Sequence, residues 1–116
     1  ALVTGASVYR DVTAIARCSA SSDNIKIAAS QAADDLLNME GILASFTLFR
    51  NKDGTLNISA RSFGSINVQI IMEWLGGGGH QTMAGAQFEK ETEESVMEKL
   101  KEAIDRYLRE VNVKTR

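Results

Sequence analysis

Cysteine and histidine are scarce in this sequence, which has one of each among 116 residues, Cys18 and His80. A single cysteine forms no internal disulfide, and no cysteine pair has zinc-ligand spacing, so a disulfide framework and a cysteine-based zinc site are excluded. We therefore expect a reducing, cytoplasmic compartment. Cys18 is expected to be a buried apolar side chain rather than a nucleophile, because there is no second histidine to build a conventional catalytic pair around it.

The sequence also lacks a large excess of charge of either sign, and it lacks long apolar runs. The net charge is -2, from 13 Lys and Arg against 15 Asp and Glu, so the chain has no general attraction for nucleic acid or acidic membranes. No apolar run approaches the roughly 18 residues of a membrane span, and no basic leader precedes an apolar core. Because the sequence opens without a methionine, we expect a domain of a longer protein, with no direct membrane contact by this domain.

The length and composition are those of one globular domain. A chain of 116 residues with 44% apolar and 24% charged residues can bury a single core without disulfides or metals. The hydrophobic patterns follow the order strand, helix, hairpin, helix, glycine loop, strand and helix. This order predicts one α+β domain over residues 1–116, in which helices cover a mixed β-sheet.

The first third of the chain predicts a strand and a helix. Residues 8–18 mix β-branched and aromatic side chains and then alternate, which indicates one strand. Residues 24–39 carry apolar side chains at helical spacing, and Ser22 or Asp23 is placed to cap this helix. Gly41 is placed to end it.

A hairpin follows. Residues 42–50 alternate as a half-buried strand does, and Asp53 with Gly54 predicts a primed turn with positive φ. Residues 55–63 then return antiparallel. The polar face of the returning strand carries Asn57, Ser59 and Arg61.

The second half predicts two more helices and a strand. Residues 66–75 are apolar nearly all round, as in a buried helix that ends where Gly76 takes the left-handed conformation. Residues 82–88 resemble a short strand. The last segment is a helix that Thr92 is placed to cap. Its apolar stripe comprises Val96, Leu100, Ala103, Ile104, Tyr107, Leu108 and Val111.

Four consecutive glycines, residues 76–79, lead directly into His80. Each glycine costs about 0.5–1 kcal/mol relative to alanine in lost conformational freedom, so the run needs a physical reason. A flexible connector is one interpretation. We favour a constrained loop, because the run is short and is bounded by apolar residues rather than by serine or charge.

In a constrained loop the amides of residues 77–79 can converge into a concave nest that binds phosphate oxygens. Because these glycines follow a helix C-terminus, whose dipole disfavours an anion, they need a nearby cation. Arg61 is the candidate, since a guanidinium holds phosphate through two hydrogen bonds, and Ser62 or Ser59 can add a hydroxyl. The alternative is that Arg61 pairs with a surface carboxylate.

His80 also has two interpretations. It is either a hydrogen-bonding structural residue beside a turn, or a group that contacts substrate and exchanges a proton near neutral pH. We expect no metal centre in this chain, because a two-metal site needs several convergent carboxylate and histidine ligands. The acidic residues, such as Asp34, Asp35 and those within 89–102, are expected to be solvated surface.

Two stretches, ISARS at 58–62 and INVQIIMEWLGGGGHQTMAGAQF at 66–88, resemble the DHH-associated domain 1, the C-terminal substrate-binding part of DHH phosphoesterases. AADDLLNMEGILASF at 32–46 most resembles the membrane-anchored bacterial cyclic-di-AMP phosphodiesterases of that superfamily. Met83 stands where many relatives carry a small residue, which affects the pocket for the base. The resemblance implies substrate and phosphate contacts at Arg61, Ser62, Gly77, Gly78, Gly79 and His80.

The same resemblance implies a division of labour. This domain would bind and orient the nucleotide in a manganese-dependent phosphodiesterase that opens cyclic-di-AMP to the linear dinucleotide, with Mn²⁺ on a separate DHH domain and none in this chain. The sequence has no Asp-His-His motif, so the isolated chain is expected to hydrolyse nothing. The implied partners are a cyclic or linear dinucleotide and the DHH domain of the same parent, which would be membrane-anchored with this domain on the cytoplasmic side.

Three alternatives stay open. The first is the substrate-binding domain of a nanoRNA or oligonucleotide exonuclease. The second is a non-catalytic RNA-binding module, against which the net negative charge argues, because RNA affinity depends heavily on neutralising phosphates. The third is a homodimerisation module that uses the apolar helix at 66–75 or an exposed sheet edge.

Overall fold

Within residues 2–19 and 24–111, which the computed structural model describes, the chain forms six strands and three helices around a main core and two smaller apolar clusters. The strands are β1 Leu2–Tyr9, β2 Thr13–Ser19, β3 Ala44–Arg50, β4 Leu56–Ser62, β5 Gly78–His80 and β6 Met83–Phe88. The helices are α1 Ile25–Leu37, α2 Val68–Trp74 and α3 Glu93–Val111. The predicted caps of α1, Ser22 and Asp23, lie outside the described residues. The α+β prediction is confirmed.

The strands form one mixed sheet in the order β1-β2-β3-β4-β6-β5. β2 and β3 are parallel, and every other neighbouring pair is antiparallel. A parallel pair needs a crossover connection, and α1 supplies it between β2 and β3. α1 therefore packs on one face of the sheet, and α2 and α3 pack on the other face.

The prediction of one strand over residues 8–18 is wrong, because this segment contains a chain reversal. Arg10 and Asp11 adopt φ values of 55° and 66°, and β1 and β2 pair antiparallel on either side of them, with Tyr9 opposite Thr13. A left-handed conformation is uncommon outside glycine. The segment has no glycine to mark the turn, so its alternation resembled that of a single strand.

Strand β3 is buried on both faces, which corrects the prediction of a half-buried strand. Phe46 and Leu48 lie in the main core with α2 and α3. On the opposite face the Ser45 hydroxyl donates to the Ala33 carbonyl, and Thr47 Oγ1 donates to the Ala29 carbonyl at 2.8 Å. Alternating polar residues are thus compatible with full burial, because helix carbonyls satisfy their hydroxyls.

The β3–β4 hairpin is confirmed, but its turn is not the primed type. Arg50 pairs with Leu56, so the loop spans residues 51–55. The Gly54 N–H donates to the Asn51 carbonyl at 3.0 Å, and of the residues at 51–55 only Gly54 has a positive φ, 90°. This is the longer hairpin arrangement in which a hydrogen-bonded turn precedes a left-handed glycine.

Helix α2 ends as predicted at Gly76, which has φ 88°. The Gly76 N–H donates to Glu73 O at 3.0 Å and the Gly77 N–H donates to Met72 O at 2.8 Å, the two hydrogen bonds of a Schellman motif. The prediction of all-round burial is wrong, because Gln69 and other residues of α2 are only partly buried. The motif fixes the direction in which the chain leaves α2.

Helix α3 is the longest element and covers the core with the predicted stripe. The Ser95 N–H donates to Thr92 Oγ1 at 3.1 Å, which confirms the cap. Of the stripe, Val111 is exposed and Leu108 partly buried, and the other members are buried. α1 packs against β2, β3 and β4, while α2 packs against β4, β5 and β6 on the other face. Among the described residues, no helix therefore packs closely over the face of β6 and β5 that lies beside α1.

Candidate functional site

The uncovered part of the sheet is the floor of a cleft of about 520 Å³, and α1 is its wall. A volume of this size is typical of small-molecule sites. On β4 the floor is built from the polar face that the sequence predicted. Register places these side chains opposite residues of β6, as the pairs Asn57 with Gln87, Ser59 with Gly85 and Arg61 with Met83.

One row crosses three strands of this floor. Arg61 pairs with Met83, and Met83 pairs with His80 on the edge strand β5. Directly paired residues project to the same face of a sheet. Arg61, Met83 and His80 therefore share a face, with Met83, 52% exposed, in the middle.

The wall contributes side chains that the sequence interpretation missed. Lys26 and Ser30 line the cleft, and Asp34 reaches Arg61 from the next turn of α1. These three residues are four apart, so they form one row along the helix surface. The signal that would have identified them is a polar row beside the small residues, such as Ala29 and Ala33, that pack on β3.

Arg61 is largely buried, with 12% of its side chain exposed. Its Nη1 atom donates to the Ala60 carbonyl at 2.9 Å. Its Nε atom lies 3.2 Å from Asp34 Oδ1, but the N–H is not directed at that oxygen, so this buried atom has no hydrogen-bond partner among the described residues. The alternative of a carboxylate partner is thus confirmed, although the ion pair leaves the Nε–H unsatisfied.

Close packing against β6 explains two of the four glycines. A Cβ on Gly77 would lie 2.0 Å from Gly85 O, and one on Gly79 would lie 2.5 Å from Ala84 Cα, whereas one on Gly78 would meet open space. Gly78 and Gly79 belong to β5, and successive amides of an extended strand point in opposite directions. The predicted convergent nest is therefore wrong.

The glycines still contribute to the cleft. Gly77 and Gly78 line it, together with Gly76. Gly79 and His80 are exposed on the edge strand and do not belong to the lining. A backbone without side chains leaves this part of the floor open to a ligand.

Ser62 points away from the cleft. Its hydroxyl donates to the Gln81 carbonyl at 3.2 Å and accepts the Gly64 N–H at 3.2 Å, so it joins the loop after β4 to the β5–β6 turn. Ser59, the other candidate, does line the cleft. The hydroxyl donor beside Arg61 is therefore Ser59 rather than Ser62.

The cleft has the chemistry of a binding site for an anion. Among the residues that the structure describes, its lining includes the cations Lys26 and Arg61 but no carboxylate or histidine. Cys18 is buried against α1, and burial raises the pKa of its thiol, which makes it a poor nucleophile. Among residues 2–19 and 24–111, no group of three or more histidine, cysteine, aspartate or glutamate side chains is placed to hold a metal ion.

No helix in the described ranges is both long and apolar enough to cross a membrane.

Comparison with known proteins gives a family match over most of the chain. The model of the DHHA1 domain matches residues 11–110. The cyclic-di-AMP phosphodiesterase GdpP of Geobacillus thermodenitrificans is 42% identical over 106 residues, which cover 91% of this chain and 16% of that protein. The cyclic-di-AMP phosphodiesterase PdeA of Listeria monocytogenes is 44% identical over 106 residues, again 91% of this chain and 16% of that protein.

A solved structure shares the fold. An exopolyphosphatase-related protein from Bacteroides fragilis superposes with a TM-score of 0.71 at 22% identity, over 90% of this chain and 32% of that chain. The present chain thus spans 16% of the length of the two curated relatives above and about a third of this structural neighbour.

Proposed function

The chain belongs to the DHHA1 domain family, and on that premise we propose that it is the substrate-binding domain of a phosphodiesterase that hydrolyses cyclic-di-AMP to the linear dinucleotide. The observation that carries the proposal is the cleft beside α1, whose described lining brings together the cations Lys26 and Arg61, with the Nε–H of Arg61 left without a hydrogen-bond partner. The identity of 42% and 44% to two proteins named as cyclic-di-AMP phosphodiesterases supports the choice of substrate.

Arg61 is the proposed phosphate contact. A guanidinium forms charge-assisted hydrogen bonds with phosphate oxygens, which are shorter and stronger than those between neutral groups. Ser59 adds a hydroxyl from the same face of β4, and Lys26 adds a second cation from the wall. Together they allow a phosphate to bind although the chain as a whole is negatively charged.

The remaining site residues shape the cleft around the nucleotide. The backbone at Gly77 and Gly78 lets the ligand approach the floor closely, and Met83 offers an apolar, polarisable surface for a base. His80 lies exposed beside Met83, where it can contact a nucleotide held between this domain and a second one.

In this proposal the chain supplies binding and orientation rather than the attacking group. Holding a substrate in the reactive geometry removes much of the entropic barrier to a reaction. The metal ions, proposed to be Mn²⁺, belong to a DHH domain elsewhere in the parent protein. We place that parent at the membrane, with this domain on the cytoplasmic side, and the isolated chain is then inactive.

The test is nucleotide binding by the full-length parent carrying Arg61→Ala, measured by calorimetry without Mn²⁺ so that no substrate is consumed. We expect cyclic-di-AMP to bind about 10- to 100-fold more weakly, the loss typical of a hydrogen bond to a charged group. Arg109→Ala is the matched control, because it removes an exposed cation from α3, on the other side of the sheet.

Unchanged affinity in Arg61→Ala would contradict the proposed contact. Oligoadenylates measured in parallel separate the alternatives. Tighter binding of a short RNA than of cyclic-di-AMP would favour the oligonucleotide exonuclease.

A further inference from the structure

Asp34 is the carboxylate that approaches Arg61 from α1, the wall of the cleft. It is held by α1 with 62% of its side chain exposed, yet its Oδ1 atom lies 3.2 Å from Arg61 Nε. Because the Nε–H is not directed at that oxygen, the carboxylate neutralises the guanidinium without satisfying it. Asp35 is also exposed and carries the same charge one residue further along the helix.

A phosphate bound to Arg61 therefore has a negative charge beside it. The repulsion between two charges increases in proportion to each of them. An internal phosphodiester carries a charge of -1, whereas a terminal phosphate carries about -1.5 to -2 near neutral pH, because its second pKa is about 6. The carboxylate must then disfavour a terminal phosphate by nearly twice the free energy by which it disfavours a diester.

We propose that Asp34 is a specificity-determining residue that biases this cleft towards internal phosphodiesters and against terminal phosphates. The inference rests on the proposed function, because it requires that Arg61 contacts the phosphate of the ligand. The inference also gives a reason why Arg61 is paired with the exposed Asp34 carboxylate. The carboxylate lowers the affinity of the cleft for every anion, but most for mononucleotides and other ligands that carry a terminal phosphate.

Two variants of the full-length parent test this proposal, Asp34→Asn and its matched control Asp35→Asn. Each is titrated with cyclic-di-AMP, which has only diester phosphates, and with AMP, which has a terminal phosphate, in low-salt buffer without Mn²⁺. For charges about 6 Å apart in water, Coulomb's law gives roughly threefold tighter binding of a diester in Asp34→Asn and roughly tenfold tighter binding of AMP. In Asp35→Asn both ligands should change less than about twofold, and the effects of Asp34→Asn should shrink at high salt because exposed charges are screened.

The decisive quantity is the ratio of the two affinities. If Asp34→Asn tightens both ligands equally, leaves both unchanged or weakens them, the specificity role is overturned. Arg61→Ala distinguishes this outcome from failure of the proposed function. Loss of affinity in Arg61→Ala with no effect of Asp34→Asn overturns only the role of Asp34, whereas unchanged affinity in Arg61→Ala overturns the phosphate contact itself.

Discussion

Replacement of Gly77 by alanine tests whether close packing against β6 requires glycine at this position. The added Cβ would lie 2.0 Å from Gly85 O and 2.7 Å from Ala86 Cα. Both are backbone atoms of the central part of β6, so no flexible side chain can move aside. The Gly77 N–H is also tied to Met72 O at 2.8 Å, which holds this residue to the end of α2.

The structure sets the size of the expected effect. An ordinary van der Waals contact needs more than 3.4 Å, so the chain at Gly77 must move by more than 1 Å. Overpacking of this kind costs about 1–3 kcal/mol. For a domain of this length, that loss lowers the melting temperature by roughly 3–12 °C.

Urea denaturation measures the change, with the fluorescence of Trp74, the single tryptophan, and far-UV circular dichroism as probes. Gly78→Ala is the matched control, because its Cβ meets nothing within 4 Å and its φ lies outside the left-handed region. It should change stability by no more than about 0.5 kcal/mol. Equal unfolding free energies for the two variants would refute close approach as the reason for glycine at 77.

Two further substitutions test contacts away from the cleft. Tyr107→Phe should destabilise the fold by about 1–2 kcal/mol in urea denaturation, because the Tyr107 hydroxyl accepts the Asn67 N–H at 2.8 Å. If the variant is as stable as the wild type, water replaces the hydroxyl as acceptor and the prediction is wrong. Asp105 accepts hydrogen bonds from Arg10 Nε at 2.8 Å and from the Tyr9 hydroxyl at 2.9 Å. The hydrogen bond from Arg10 is the main reason why the pKa of Asp105 lies below its ordinary value. A carboxyl group whose pKa is lower in the folded than in the unfolded state stabilises the fold above about pH 4. This stabilisation is lost as the pH falls through the folded-state pKa. Asp105→Asn should therefore be less stable at pH 7 by no more than about 1 kcal/mol, because the pair is partly exposed, and the difference should shrink in acid; a difference independent of pH would contradict this.

The features that sequence patterns predicted correctly are those that local chemistry controls. Gly76 ends α2, Thr92 caps α3, and the apolar stripe of α3 faces the core, because each depends on residues within one or two helical turns. The wrong predictions share the opposite property. The turn at Arg10 has no local marker, and the double burial of β3 depends on helices that are distant in sequence.

The candidate site divides in the same way. The alternation of one strand predicts Arg61 and Ser59 on its polar face, and the glycine run with its apolar flanks predicts Gly77 and Gly78. The phosphate contact at Ser62 stays a prediction; in the structure the Ser62 hydroxyl lies on the opposite side of β4 from Arg61 and donates to the Gln81 carbonyl. Strand alternation places the neighbours Arg61 and Ser62 on opposite faces of the sheet, which is why, of the two, only Arg61 lines the cleft.

By itself, the sequence determined the helices and strands with clear periodicity, the hairpin after β3 and the position of the glycine run, because side-chain spacing and turn chemistry act over a few residues. Only the tertiary structure decided that Gly78 and Gly79 pack in an edge strand, that α1 leaves part of one sheet face open, and that Asp34 pairs with Arg61 beside a cleft that Lys26 also lines. The physical reason is that strand order and helix placement bring together residues that are far apart in sequence, and no local pattern encodes those distances.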